Sequence, residues 1–271
     1  MYNGIKEITL NDENLALFYQ GNYQIELLEN QYLLIFNPEG DVIDKLRWNG
    51  TKFDKVKPKK ISSGFDADIK PLNIYQECWF DLLDNDAISC KTVFGKFGSG
   101  KTYIALCWAL GAINKNHYRK LVYIRNNVEV KDSNPIGYLP SDQNSKLKPW
   151  AMPIADILGG EMALNQFLLQ DKIELCHLGF IRGRTFDNCI LLVSECQNLT
   201  KEHIEVLISR CGKNTVIIFD GDKRQVDKTI FEKNSGIEVL TETLKGNKLF
   251  GVVQLCSTVR SQLAGLADLF E

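Results

Sequence analysis

Apolar residues follow two different patterns along this chain. Before about residue 56 they form short runs separated by turn-forming sequences such as Asn37-Pro38-Glu39-Gly40 and Asn49-Gly50. Short apolar runs between such turns are typical of β-hairpins. The predicted strands span residues 23–28, 31–36, 42–48 and 52–56. Because so few strands bury little surface by themselves, we expect a small β subdomain that packs on a larger one.

From about residue 67 the pattern changes to apolar runs that alternate with helical segments. This alternation is typical of a mostly parallel sheet flanked by helices. The predicted strands span residues 89–94, 120–125, 172–176, 189–193, 215–219 and 251–255, and helices are predicted at 102–110 and 153–170. Residues 55–71 read as a linker or exposed loop, and residues 126–150 as a long irregular connection. We therefore predict an α/β protein in two parts, residues 1–66 and 67–271.

The composition narrows the class of protein. With 271 residues, of which 44% are hydrophobic, the chain can form one large α/β domain and an accessory piece. The 32 Lys and Arg residues nearly balance the 34 Asp and Glu residues, so nucleic-acid binding would need a local basic patch. No run reaches the roughly 18 apolar residues of a membrane helix, and no signal peptide is evident. The eight cysteines lack C-x-x-C spacing and most lie in apolar runs, which predicts buried thiols in a reducing compartment. Together these features predict a cytoplasmic protein that makes no membrane contact.

A glycine-rich loop separates the predicted strand at residues 89–94 from the predicted helix at 102–110. Its sequence is Gly95-Lys96-Phe97-Gly98-Ser99-Gly100-Lys101-Thr102. A G-x-x-x-x-G-K-T pattern between a strand and a helix predicts a loop whose backbone N–H groups surround the phosphates of a nucleotide. Lys101 is expected to contact the β- and γ-phosphates, and the Thr102 hydroxyl to be a ligand of Mg²⁺. The alternative, a turn that only connects strand to helix, would not need the Lys-Thr pair.

Two polar residues, Ser194 and Glu195, follow the predicted strand at residues 189–193. Phosphate-loop enzymes need carboxylates at such a strand end, to hold the metal and to polarise the attacking water. Glu195 is the predicted catalytic base. Ser194 lies where most of these enzymes carry an acidic residue, and we expect it to contact a metal-bound water. If the missing carboxylate limits metal placement, Ser194→Asp should raise activity. Alternatively, the pair is a polar strand end in a protein that binds nucleotide without hydrolysing it.

A third polar element follows the predicted strand at residues 215–219. It reads Asp220-Gly221-Asp222-Lys223-Arg224-Gln225. The carboxyl ends of parallel strands face the ligand crevice of a doubly wound sheet. The amide of Gln225 is therefore expected to contact the γ-phosphate or the attacking water. A simple turn is the alternative, and the order of the three motifs disfavours it.

These motifs and several further segments resemble the PhoH-like family of ATPases, which are similar to the N-terminal motor domain of superfamily 1 helicases. The further segments are Asn73 and Gln76, Arg125-Asn126-Asn127-Val128, Ile136-Gly137-Tyr138-Leu139-Pro140, Lys148-Pro149-Trp150, Phe180-Ile181-Arg182-Gly183-Arg184-Thr185, Glu195-Cys196-Gln197-Asn198 and Val259-Arg260-Ser261. The resemblance implies a RecA-like P-loop NTPase fold that uses ATP and Mg²⁺. The small β segment is similar to the connector of family members that fuse a PIN ribonuclease domain to the ATPase. We expect no PIN domain in this chain.

The resemblance also implies roles for residues outside the three motifs. Asn73 and Gln76 are candidates for adenine recognition, because an amide pairs with both a donor and an acceptor on the base edge. A surface helix could equally carry them. Arg182, Arg184 and Arg260 are candidates for stabilising charge on the γ-phosphate, from the same or a neighbouring subunit. Surface or salt-bridged arginines are the alternative for each.

The predicted function is a Mg²⁺-dependent ATPase that couples hydrolysis to binding or unwinding single-stranded RNA or DNA, with RNA favoured. The predicted contact surface is the segment at residues 126–150, and a loop packed on the sheet is the alternative. Its candidate contact residues are Lys131, Lys146, Lys148, Tyr138 and Trp150. Because one motor domain does not unwind by itself, we expect a homo-oligomer such as a hexameric ring. A slow or non-catalytic ATP-binding regulator is the second hypothesis. A small-molecule kinase is disfavoured by the Gly-Asp-x-x-Gln element.

Overall fold

Two separate β-sheets make up the frame of the molecule. The computed structural model of the 271-residue chain describes residues 2–126, 143–226, 231 and 235–257. One sheet has four strands and lies early in the chain, and the other has six strands. The predicted combination of a small N-terminal β part with an α/β part is therefore confirmed.

The small sheet is built from one parallel and two antiparallel strand pairs. Its strands are β1 (Ile5–Thr9), β2 (Tyr32–Phe36), β3 (Val42–Trp48) and β4 (Phe53–Lys55), in that order across the sheet. β1 pairs in parallel with β2, and helix α1 (Asp12–Tyr19) lies between them in the chain. The last three strands were predicted. β1 and α1 were not, because the first predicted strand begins at residue 23.

The strand predicted at residues 23–28 is wrong. The segment forms no regular ladder. Its alternating apolar residues Tyr23, Ile25 and Leu27 do pack on the small core around Leu33 and Leu46. The alternation of apolar residues therefore predicted correctly which side chains face the core. It did not predict whether the segment pairs with another strand, because strand pairing requires backbone hydrogen bonds to a neighbouring strand edge, which this segment does not form.

Six parallel strands form the larger sheet. They are β5 (Cys90–Gly95), β6 (Lys120–Arg125), β7 (Ile173–His177), β8 (Cys189–Ser194), β9 (Val216–Gly221) and β10 (Phe250–Leu255). Their order across the sheet is β10-β5-β9-β8-β6-β7, and every neighbouring pair is parallel. All six predicted strands are confirmed with small shifts at their ends. Their nearly continuous apolar runs reflect burial on both faces.

Helices cover both faces of this sheet. They are α2 (Ile74–Asp84), α3 (Lys101–Asn114), α4 (Gln143–Leu158), α5 (Glu161–Leu169), α6 (Lys201–Ile208) and α7 (Gly236–Leu244). Along β8, Ile190 and Leu192 belong to the core that α2 to α5 share, whereas Leu191 and Val193 belong to the core beneath α6 and α7. The alternation of side chains along each strand thus separates two apolar layers.

Two predictions about the connection between β6 and β7 need correction. Helix α4 begins at Gln143, although residues up to 150 were expected to be irregular. Pro149 and Pro153 lie inside this helix, and prolines at those positions argue against a helix in a sequence. The single helix predicted at residues 153–170 is divided at Gly159 and Gly160, whose φ values of 96° and 119° are incompatible with a continuous right-handed helix.

The small sheet packs directly on the larger part. Tyr32 and Trp79 belong to one core, and the Tyr32 hydroxyl donates to Asp81 Oδ2 of α2 at 2.9 Å. Arg47 Nε donates to the same oxygen at 3.0 Å. Asn30 Nδ2 lies within hydrogen-bonding distance of three carbonyl oxygens just before and at the start of β10. The boundary between residues 66 and 67 stays a prediction, since apolar and polar contacts cross it.

Candidate active site

The glycine-rich loop runs from the end of β5 to the start of α3. Gly98 and Gly100 have φ values of 72° and 92°, a left-handed conformation that side chains with a Cβ disfavour. A Cβ on Gly95 would lie 2.7 Å from Ser99 Oγ and 2.8 Å from Leu255 O. The three glycines are therefore required by the backbone path of the loop itself.

The start of α3 and the Lys101 side chain place positive electrostatic potential at the glycine-rich loop. Gly100 is the N-cap of α3 and makes no side-chain capping hydrogen bond. The first N–H groups of α3 and the positive end of its dipole therefore favour an anion at this end of the helix. Lys101 Nζ donates to Gly95 O at 2.6 Å and to Lys96 O at 2.9 Å, which holds the ammonium group against the loop. This geometry fits the binding of phosphate groups.

A cleft of about 410 Å³ opens beside the loop. One wall consists of loop residues and Thr102, and the opposite wall of Pro153, Asp156 and Ile157 from α4. The ends of β8 and β9 form its floor. Among the predicted site residues, the cleft brings together Phe97, Gly98, Gly100, Lys101, Thr102, Ser194, Glu195 and Gln225. The three sequence motifs thus meet in one place.

Glu195 is held in an unusual backbone conformation just after β8. Its φ of 55° and ψ of 44° are left-handed, which is uncommon for a residue with a side chain and stores strain. Glu195 Oε2 accepts a hydrogen bond from Gln197 Nε2 at 2.6 Å, and Oε1 lies 3.7 Å from Arg125 Nη2. The carboxylate is thereby fixed at the cleft. Sequence reasoning gave no role to Arg125 or Gln197, although both lie in the quoted segments.

Gln197 ties the turn after β8 to the turn after β9. Its Nε2 also donates to Gln225 O at 3.0 Å, and its Oε1 accepts from Asp222 N at 3.1 Å. Gln197 is buried, and a Cβ on Gly221 would lie 2.8 Å from Gln197 Oε1. The glycine of the Gly-Asp-x-x-Gln element therefore makes room for this amide. The positions of Glu195 and Gln225 depend on the same side chain.

Asp220 is a second carboxylate in the cleft, and no role was predicted for it. It lies in β9 and is only 2% exposed. Asp220 Oδ1 accepts from Glu195 N at 3.3 Å, whereas Oδ2 is buried and has no hydrogen-bond partner among the described residues. Burial, and then the Glu195 carboxylate, raise the pKa of Asp220, against the opposite effects of Thr102, Lys101 and Ser194. The signal in the sequence was an acidic residue at the end of a buried strand.

The residues beside the loop fit Mg²⁺ when a nucleotide is present. Among the described residues, no group of three or more His, Cys, Asp or Glu side chains could hold a metal ion alone. Mg²⁺ commonly uses one or two protein carboxylates together with phosphate oxygens and waters. The Thr102 hydroxyl and the unpaired Asp220 Oδ2 supply oxygen donors of that kind beside the loop.

The two predicted adenine contacts have structural partners. Asn73 is the N-cap of α2, and its Oδ1 accepts from Gln76 N at 2.9 Å. Gln76 is buried, its Nε2 donates to Ser99 O at 2.9 Å and its Oε1 accepts from Leu72 N at 2.8 Å. Gln76 therefore supports the glycine-rich loop from behind. Adenine recognition by this pair stays a prediction.

The two candidate arginines that the structure describes, Arg182 and Arg184, do not line this cleft. Arg184 Nη2 lies 2.6 Å from Glu174 Oε1, and its guanidinium lies 4.5 Å from the centroid of the Phe186 ring. Arg182 lines a different cleft, together with His177 and His203. Arg260 lies outside the described residues. A role for any of them in a neighbouring subunit's site stays a prediction.

The predicted nucleic-acid contact surface is described only in part. Lys148 Nζ lies 3.6 Å from Glu161 Oε1, and Trp150 of α4 is half-buried beside Tyr123 and Leu175. Trp150 is thus neither buried nor fully exposed, and base stacking by it stays a prediction. Lys131, Tyr138 and the Lys146 side chain lie outside what the structure describes.

Two sequence predictions, that the cysteines are buried thiols and that no helix spans a membrane, can be compared with the structure. All eight cysteines are unpaired, and six of them are buried. Cys211 is intermediate and Cys256 is exposed, contrary to a fully buried set. Among the described residues, no helix combines the length and the apolar character that crossing a bilayer requires.

A glycine loop at the uncapped start of a helix, with carboxylates at the ends of neighbouring parallel strands, defines a phosphate-loop nucleotide-binding protein of the RecA-like α/β class. Comparison with protein families agrees. The family model described as PhoH-like protein matches residues 68–270, and the chain belongs to that family. It is therefore a PhoH-like protein of the phosphate-loop ATPase type.

Individual relatives extend the similarity to the small sheet. The chain is 32% identical to Protein PhoH2 of Bacillus subtilis (strain 168) over 98% of its own length and 64% of that protein. It is 28% identical to Protein PhoH2 of Thermobispora bispora over 98% of its length and 62% of that protein. A PhoH-like protein of Bacillus subtilis (strain 168) is 32% identical over 60% of this chain and 51% of that protein. The chain thus spans less than two thirds of the length of these relatives.

Proposed function

We propose that this protein is a Mg²⁺-dependent ATPase that couples hydrolysis to binding single-stranded nucleic acid, with RNA as the favoured substrate. The observation that carries the proposal is the cleft in which Lys101, Thr102, Glu195 and Gln225 meet. Phosphate-binding groups lie on one side of it and a carboxylate lies on the other. That arrangement fits cleavage of a terminal phosphate more closely than nucleotide storage.

Lys101 and the start of α3 are proposed to bind the β- and γ-phosphates. The Lys101 ammonium already lies against the loop, so little rearrangement is required. The Thr102 hydroxyl is proposed to be a direct ligand of Mg²⁺. When bound, the metal neutralises charge on the phosphate oxygens. ATP is preferred over GTP in this proposal, because no N-K-x-D motif follows a suitable strand.

Glu195 is proposed to accept a proton from the attacking water. Its carboxylate is oriented by Gln197 and lies near Arg125, so it need not search for its position during the reaction. Gln225 lines the same cleft and is proposed to orient the water or the γ-phosphate through its amide. An arginine from a neighbouring subunit would complete charge stabilisation, which agrees with an oligomeric ring.

A second cleft supports nucleic-acid binding at the same edge of the sheet. It measures about 590 Å³ and is lined by Arg182, His177 and His203. Phe180, next to it, is 58% exposed, and its ring centroid lies 5.6 Å from that of His177. An exposed aromatic ring suits base stacking, and an arginine that lines the neighbouring cleft suits phosphate contact. This cleft is a more strongly supported contact site than Trp150.

The two histidines add neutral hydrogen-bond donors to this surface. His177 Nδ1 accepts from Gly179 N and His203 Nδ1 accepts from Thr200 N, which leaves Nε2 of each ring to carry the proton. Burial lowers the pKa of both histidines, which favours the neutral form of each ring. A neutral N–H suits a base edge or a ribose hydroxyl.

The first experiment is steady-state phosphate release from ATP with Mg²⁺, with and without single-stranded RNA, and with single-stranded DNA as a comparison. Glu195→Gln serves as the blank. Turnover above the blank that rises with RNA supports the proposal. Phe180→Ala should reduce the stimulation and leave basal turnover unchanged, because Phe180 lies at the second cleft and not at the glycine-rich loop.

A non-catalytic ATP-binding regulator remains the second candidate, because a serine stands at position 194. Tight ATP binding without phosphate release above the blank would select it. Light scattering with and without ATP would test the ring, and a monomer in both states would exclude an arginine supplied in trans.

A further inference from the structure

We propose that Asp220 supplies the metal-side carboxylate that position 194 lacks, so that the acidic residue of the site stands on β9 and not on β8. This inference rests on the proposed Mg²⁺-dependent function. It gives a specific role to a buried side chain that the three sequence motifs left without one.

The register of the sheet places the two positions side by side. Val193 of β8 pairs with Phe219 of β9, so positions 194 and 220 follow opposite each other and their side chains share one face. Neighbouring strands lie roughly 4.8 Å apart. A carboxylate moved across one strand therefore stays close enough to act on the same metal, directly or through one water.

Asp220 is also nearer to the glycine-rich loop than position 194. β9 lies between β5 and β8, and Val93 of β5 pairs with Asp220. The loop continues directly from β5. A carboxylate on β9 is therefore one strand closer to Thr102, the other proposed metal ligand.

The hydrogen bonding of Asp220 does not account for its burial. Oδ1 has one long hydrogen bond, from Glu195 N at 3.3 Å. The hydroxyls of Thr102 and Ser194 are near enough to lower the pKa of Asp220, but among the described residues no donor reaches Oδ2 with hydrogen-bond geometry. By contrast Asp187, a structural carboxylate at the opposite edge of the sheet, accepts from Lys213 N at 2.6 Å. Burying a carboxylate with an unpaired oxygen is unfavourable unless a cation or donor completes it. A metal ion beside Thr102 meets this requirement.

Ser194 fits the same arrangement. It is 5% exposed and lies beside Asp220 on the adjacent strand. An acidic residue at 194 would place two carboxylates opposite each other on neighbouring strands, which is unfavourable. The expectation that Ser194→Asp raises activity therefore changes, because the site already has its carboxylate. The substitution alone should give no gain in turnover.

The experiment measures metal affinity and not turnover. The full chain is mixed with the non-hydrolysable analogue β,γ-imido-ATP, and Mn²⁺ binding is followed by electron paramagnetic resonance. Asp220→Asn keeps the shape of the side chain and removes its charge. We expect it to lower Mn²⁺ affinity by roughly tenfold or more, the effect expected when a group that holds a metal is lost. Metal-free binding of the analogue should change less than about twofold, because the loop is intact.

The swap Ser194→Asp/Asp220→Ser tests whether the carboxylate is interchangeable between the strands. It should recover most of the Mn²⁺ affinity that Asp220→Asn loses. Asp84→Asn, on the exposed end of α2, is the matched control and should behave as wild type. Nucleotide-free Asp220→Asn should melt at the wild-type temperature or above, because a buried and incompletely paired charge is removed.

Wild-type Mn²⁺ affinity in Asp220→Asn, or a lower melting temperature with unchanged metal affinity, would overturn the proposal and make Asp220 a structural residue. A swap variant as weak as Asp220→Asn would also overturn it. If the wild-type protein binds the analogue but no Mn²⁺, the proposed Mg²⁺-dependent function itself fails. The two failures are therefore distinguishable.

Discussion

The two ends of the large sheet each bury a charged side chain, but in different ways. Near the amino ends of the strands, Lys91 of β5 is 1% exposed, and its Nζ donates to Leu82 O, Leu83 O and Asn85 O at 2.6, 3.0 and 2.7 Å. At the carboxyl ends, Asp220 is 2% exposed and has one unpaired oxygen. The Lys91 ammonium group thus has three hydrogen-bond acceptors at the C-terminal end of α2, whereas the Asp220 carboxylate has one oxygen without a hydrogen bond among the described residues.

This difference indicates that the buried charge at the amino edge of the sheet contributes to stability, whereas the one at the carboxyl edge contributes to function. Fully paired buried groups stabilise a fold, because their removal leaves several partners unsatisfied. Incompletely paired groups are tolerated where a ligand completes them. The strained backbone of Glu195 and the unpaired Ser99 Oγ lie at the same carboxyl edge as Asp220. Variants at the carboxyl edge should therefore lower activity, and variants at the amino edge should lower stability.

The largest effect is expected from Glu195→Gln. Loss of the proposed general base should lower phosphate release by roughly 10²- to 10⁴-fold. ATP affinity should be retained, because the loop is untouched. The midpoint of urea unfolding should stay near the wild-type value, since the amide fits the same place. Phosphate release measured beside equilibrium ATP binding checks this, and unchanged turnover would remove Glu195 from the mechanism.

Lys91→Met should have the opposite profile. It leaves carbonyl groups at the end of α2 without their donor, and we expect the free energy of unfolding to fall by roughly 2–4 kcal/mol. Turnover per folded molecule should not change, because the residue is remote from the cleft. Urea unfolding monitored by circular dichroism gives the first quantity. Lys59→Met, which removes an exposed lysine that pairs with Asp84, is the control and should unfold as wild type does.

Gln197→Ala should give an intermediate effect at the carboxyl edge. It removes the bridge between Glu195, Asp222 N and Gln225 O, so the base and the water-orienting amide lose their relative positions. We expect kcat to fall by roughly tenfold to a hundredfold, while KM for ATP changes little. Gln170→Ala, at the C-cap of α5, is a control of the same residue type. A rise in KM with constant kcat would assign Gln197 to substrate binding.

The sequence allowed the phosphate loop and the six strands of the large sheet to be predicted, because both depend on local patterns. Glycines at fixed spacing and continuous apolar runs need no knowledge of distant partners. The role of Asp220 could not be predicted in this way. It depends on the order β5-β9-β8, which places position 220 between the loop and position 194. The first part of helix α4, before residue 153, was missed for a different reason, because packing overrides the low helix propensity of Pro149 and Pro153.

The smallest effect concerns the pH dependence of the free energy of unfolding. It tests whether the hydrogen bonds of Lys91 are sufficient to keep its buried ammonium group charged. Burial lowers the pKa of Lys91 to about 7, although carboxylates such as Asp86 and Asp84 oppose the shift. The unfolded chain keeps this proton until about pH 10.4. Between these values the unfolded state binds more protons than the folded state, so stability rises with pH. The gain from Lys91 alone should be about 1 kcal/mol between pH 7 and pH 8.

The measurement is the difference in unfolding free energy between wild type and Lys91→Met at each pH, which removes the contribution of other groups. A difference that grows with pH above 7 shows that Lys91 is neutral in the folded protein. A difference that is flat up to pH 9 shows that the three carbonyl oxygens keep the ammonium charged despite its burial. In the second case the hydrogen bonds of Lys91 would be sufficient to keep its buried ammonium group charged. The contrast with Asp220 would then be larger, because of these two buried groups only the Asp220 carboxylate would need a ligand to complete its interactions.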